Sequence, residues 1–169
     1  MKHELIMLRE VKRVSRLAQT LTKEAKYRAV KSHTSHNVKN GTMGQIEEIS
    51  RLVRLRDDCL LFCYAVTEAL KRIDGESRRL LTQYYINRVN LGAIADSMDV
   101  DVDKIYSKLF VARRRFKHEL IWLGYDEQWL VDNYSRFNFL AERLNTRSRN
   151  QAVTLSPFPA RPPLKAAPI

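Results

Sequence analysis

Proline is absent from the first 156 of the 169 residues. All five prolines, Pro157, Pro159, Pro162, Pro163 and Pro168, lie in the last thirteen. The strongest helix breaker is therefore missing from the body of the chain. Glycine is also scarce. Gly41, Gly44, Gly75, Gly92 and Gly124 each sit beside a break in the apolar pattern. The only cysteines, Cys59 and Cys63, cannot form a disulfide framework, which fits a reducing cytosol. No apolar run approaches the roughly 20 residues of a membrane span. Met1–Glu10 is charged throughout and lacks the apolar core of a signal peptide. Secreted, disulfide-stapled and membrane-spanning classes are thus disfavoured, and a cytoplasmic chain of about one domain is expected.

The chain is rich in positive charge. Thirty Lys and Arg stand against nineteen Asp and Glu, a net of +11, while hydrophobic residues reach 44%, enough for a core. This balance favours an anionic partner, nucleic acid before membrane surface. Residues 1–31 carry nine basic and three acidic residues, and residues 133–169 carry six and one. The middle, 32–132, has fifteen of each. If the middle reads sequence, the ends supply non-specific attraction for phosphate.

Apolar spacing of three to four residues predicts a helix over about 2–31, through Leu5, Leu8, Val11, Val14, Ala18, Leu21 and Ala25. After a polar loop at 32–44, Thr42 and Gln45 form a capping box for a long helix over about 45–73. A third helix is expected over 76–87 and a short fourth over 91–98, capped by Asn90. A fifth runs from Asp101 to about Leu123, stopped by Gly124, and a sixth over 127–145 is capped by Asp126. The expected fold is all-α. A long helical pair (1–73) leads into a helix-turn-helix domain with a closing helix (74–145), then a flexible basic Pro-rich tail (146–169).

The stretch Leu91–Arg115, LGAIADSMDVDVDKIYSKLFVARRR, meets the physical needs of a helix-turn-helix. Ala95 is the small residue at the helix crossing, with Ile94 and Met98 beside it. Asp99-Val100 is the tight turn, with Val100 pointing inward and Asp99 in place of the usual glycine. Asp is among the residues that tolerate the left-handed conformation. Asp101 is the expected cap of the second helix, and Ile105 and Leu109 lock it to the first. Val102, Asp103, Lys104, Tyr106, Ser107 and Lys108 are left facing outward, as a helix entering a major groove requires. Arg113 and Arg114, with Arg115 and Lys117, are placed for flanking phosphates. Asp99 and Asp103 would repel phosphate or accept from cytosine amino groups.

The string IADSMDVDVDKIYSKLFVARRR resembles the fourth region of sigma-70-type factors. The longer stretch Ile46–Leu123 resembles phage late-transcription regulators of the ArpU/RinA type. These have a long helix, an element like Leu80-Leu81-x-x-Tyr84-Tyr85, and a sigma-like helix-turn-helix. The resemblance covers about half the chain. It implies sequence-specific double-stranded DNA binding and control of a phage or prophage operon. Val102, Asp103, Lys104, Tyr106, Ser107 and Lys108 match the recognition helix. No promoter-melting sigma region is recognisable upstream, which favours a regulator over a complete sigma factor.

His33-x-x-His36 with Cys59-x-x-x-Cys63 offers four potential zinc ligands, but both Cys lie on an apolar stripe and both His in a polar loop. Neither a metal nor a cofactor is expected. Trp129, Tyr134 and Phe137 are expected to staple the sixth helix onto the fifth. No phosphate-binding glycine loop, nucleophile elbow or zinc-protease motif is present, so an enzyme is not expected. The alternatives are a phage DNA-packaging terminase small subunit and a helical adaptor that binds RNA polymerase. A homodimer is compatible with helices of this length, and no membrane partner is expected.

Overall fold

A computed structural model describes residues 2–34 and 41–142, and among them every regular element is helical. Helices α1 (His3–Thr34) and α2 (Gly41–Arg72), 32 residues each, run about 48 Å. They pack antiparallel. The Cys63 thiol on α2 donates to the Val11 carbonyl on α1 at 3.8 Å, and near the far end Arg28 pairs with Glu48. The helix α2 starts upstream of Thr42, its expected cap.

The remaining elements are α3 (Gly75–Leu81), a π-helical turn (Thr82–Ile86), α4 (Leu91–Met98), α5 (Val102–Trp122) and α6 (Glu127–Tyr134). Two expectations are corrected here. The third helix does not continue as α-helix to residue 87. It widens into the π turn, which closes when the Asn87 N–H donates to the Thr82 carbonyl at 2.8 Å. The sixth helix breaks at residues 135–137 and resumes over 138–142. The turn brings Phe137 against Tyr134, 5.8 Å between ring centroids, and buries Leu140. The rest of the predicted sixth helix and the predicted basic tail lie outside the described residues.

One hydrophobic cluster joins the elements: Met7 and Val14 from α1, Phe62 and Val66 from α2, Leu80 from α3, Ile94 from α4, Phe116 from α5, and Leu130 and Tyr134 from α6. Tyr134 of the aromatic set closes onto α2, a contact that the sequence pattern does not predict. Tyr134 meets Phe62 edge-on at 5.1 Å, and its hydroxyl donates to the Asp58 carbonyl at 2.7 Å. Burying a ring of this size stabilises the fold by about 3 kcal/mol. Cys59 is buried in the same cluster as a small hydrophobe.

Candidate nucleic-acid interface

The α4–turn–α5 unit is assembled from its backbone outward. Asn90 caps α4, its side chain accepting from the Gly92 N–H at 3.0 Å. Asp99 ends α4 in the left-handed region at φ 51, as the sequence predicts for a turn without glycine. The Val100 N–H then donates to the Ala95 carbonyl at 3.2 Å and closes the helix end. Ala95 is 3% exposed, Ile105 0% and Leu109 4%, so the helices cross on the residues expected to lock them. Asp101 stands at the N-cap position of α5, but its carboxylate makes no cap hydrogen bond. It turns instead to Lys104, 3.6 Å away. The expectation that Asp101 caps with its side chain is corrected accordingly.

The first two turns of α5 lie open. Val102, Asp103, Lys104, Tyr106, Ser107 and Lys108 are all exposed, with Tyr106 at 65%. The Ser107 hydroxyl donates to the Asp103 carbonyl at 3.0 Å. The Lys108 ammonium is 2.6 Å from Glu76 of α3, an exposed pair that binding can exchange at small cost. Asp103 in the first turn is favoured by the positive end of the helix dipole.

The arginines divide. Arg114 is exposed, beside a groove lined by Phe110, Lys117, His118 and Ile121. Arg113 is turned inward, 22% exposed, with its Nε 3.8 Å from Glu4. The same guanidinium reaches the Tyr85 hydroxyl, while burial pushes that phenol up from its ordinary value. Arg115 pairs with Asp74 of α3.

Sequence reasoning missed two parts of this surface. Phe110, 49% exposed, continues the stripe of Val102 and Tyr106 one turn further, and its i+8 spacing from Val102 is the signal. The buried carboxylate of Glu4, which holds Arg113, carries no such signal, because nothing local sets it apart from the other charged residues of α1.

Among the described residues, no group of three or more His, Cys, Asp or Glu is placed to hold a metal ion. No described helix is long and apolar enough to cross a membrane. Comparison with protein-family models, with curated proteins and with solved structures gave no match to this chain.

Proposed function

We propose that the chain is a sequence-specific DNA-binding transcriptional regulator of phage or prophage genes that inserts the start of α5 into the major groove. The sign of regulation proposed is activation. The observation that carries the reading is the two-sided character of α5: Ile105 and Leu109 are buried against α4, and six residues around them are open. Lys104 and Lys108 suit the guanine acceptors or adjacent phosphates, and Tyr106 and Ser107 supply hydroxyls. Val102 and Phe110 offer apolar contact to thymine methyl groups. Arg114 and Lys117 fit phosphates beyond the read bases.

Anisotropy titration of a labelled random-sequence duplex across a salt series tests the DNA class. Affinity is expected to fall steeply with salt, and Lys104→Ala with Lys108→Ala to weaken it while far-UV circular dichroism stays unchanged. Salt-independent or absent binding favours the RNA polymerase adaptor. That second reading draws on the exposed Leu60, Leu61 and Tyr64 of α2, an apolar face open to a protein. Native mass spectrometry separates the terminase reading, which requires a ring of many copies.

A further inference from the structure

We infer that a cleft between α1 and the loop entering α4 is a second DNA contact, one that grips the phosphodiester backbone bordering the groove read by α5. The inference rests on the DNA-binding reading above and adds the site on the hairpin side. The cleft has a volume of about 530 Å³. Arg9, Lys12, Arg13 and Arg16 line it from α1, and Asn87 and Arg88 from the loop. Glu10, buried to 2% exposure, is the one carboxylate in the lining, so five cations face one acid.

Four of the five cations are collected rather than neutralised. Among the described residues, Lys12, Arg13, Arg16 and Arg88 have no carboxylate partner. Lys12 is held by a neutral acceptor, the Asn87 side-chain carbonyl, at 2.9 Å. The Arg13 guanidinium lies 4.2 Å above the Phe139 ring and keeps its charge. Like charges gathered in one cleft repel, and an anion of extended shape relieves that repulsion.

The backbone gives an independent sign. Arg88 sits at φ 58, a conformation costly for a side chain of this size and free for glycine. The turn is closed on either side of it: Asn87 N–H donates to Thr82, and Val89 N–H to the Gln83 carbonyl at 2.9 Å. A strained arginine here adds a guanidinium to the cleft that glycine would not supply.

Geometry ties the cleft to the recognition helix. Only α4 separates this loop from the turn before α5, and its eight residues span about 12 Å. The major groove of B-DNA is about 12 Å wide. On this inference, a duplex that takes the start of α5 in its groove lays a bordering strand against the cleft.

Phosphate binding of this kind does not depend on sequence, so a labelled random-sequence duplex is a sufficient probe. Wild type, Arg16→Gln with Arg88→Gln, and Arg88→Gly are compared by anisotropy over a salt series, with thermal melts as a fold check. Arg51→Gln with Arg54→Gln, exposed cations of α2, is the charge-matched control. The double variant is expected to lower the slope of log K against log salt by about 2, since each phosphate left without its cation takes away about 0.9. Arg88→Gly is expected to lower it by about 1 and to melt no lower than wild type, because glycine accepts the positive φ. The control is expected to keep the wild-type slope. A wild-type slope in the cleft variants, or an equal fall in the control, overturns the cleft. Failure of wild type to bind duplex at all overturns the DNA-binding reading and the cleft with it.

Discussion

Glu4, buried in the first turn of α1, lies 3.8 Å from Nε of Arg113 in the middle of α5. The two residues are more than a hundred positions apart, and the pair fastens the start of the hairpin to the helix that would read DNA. The other Glu4 oxygen is 3.7 Å from Nδ1 of His3. Removing the guanidinium would leave a buried carboxylate with little compensation, which costs more than the pair contributes.

Arg113→Ala is therefore expected to destabilise the protein by about 2 kcal/mol, read as a lower urea midpoint. Arg114→Ala is expected to leave the midpoint within about 0.5 kcal/mol of wild type while weakening DNA binding. Equal midpoints for the two variants would contradict the division of roles between these neighbours.

Acid should loosen the junction between α3 and α5 through Asp74. Its carboxylate caps α3, accepting from the Ser77 N–H at 2.9 Å, and also pairs with Arg115. These contacts, the cap first, hold its pKa down from 3.8 to about 2. A carboxyl depressed in the folded state stabilises above its unfolded value and loses that effect as pH falls through the folded one. Melting temperature should thus fall between about pH 4 and pH 2, and less steeply in Asp74→Asn. An identical pH profile for Asp74→Asn would refute the assignment.

Tyr134 anchors the end of α6 to α2. Its hydroxyl is spent on the Asp58 carbonyl, and its burial raises the phenol well above the usual range. Tyr134→Phe should cost about 1 kcal/mol in chemical denaturation, the net value of one hydrogen bond plus an orphaned acceptor. Phe62→Ala, which removes the ring that Tyr134 meets edge-on, should cost about 3 kcal/mol or more.

Cys59 should be inert in the folded protein. Burial pushes its thiol up to about 11, so the thiolate is scarce near neutral pH. Modification by a thiol reagent at about pH 8 should be slow for Cys59 and become rapid on unfolding. Fast labelling of native protein at Cys59 would contradict its burial in the hydrophobic cluster.

The helix-turn-helix was legible in the sequence because each of its requirements is local. Ala95, the tolerance of Asp99 for the left-handed region, and the apolar pair Ile105 and Leu109 all declare themselves within fifteen residues. What stayed hidden depends on partners distant in the chain. The π turn at Thr82–Ile86 holds Tyr85 against Arg9 of α1 and Arg113 of α5. The interruption at residues 135–137 carries no glycine or proline, and it serves a ring that packs on α2. Arg88 at positive φ is the least legible, because no local rule prefers arginine there.

The open start of α5 is most directly tested by selecting binding sites from a random double-stranded DNA pool. Wild type is predicted to recover a short common site, and Lys104→Ala with Tyr106→Ala to lose or alter it while keeping weak salt-dependent binding. Recovery of no common site by wild type, or of the same site by the variant, would contradict the account.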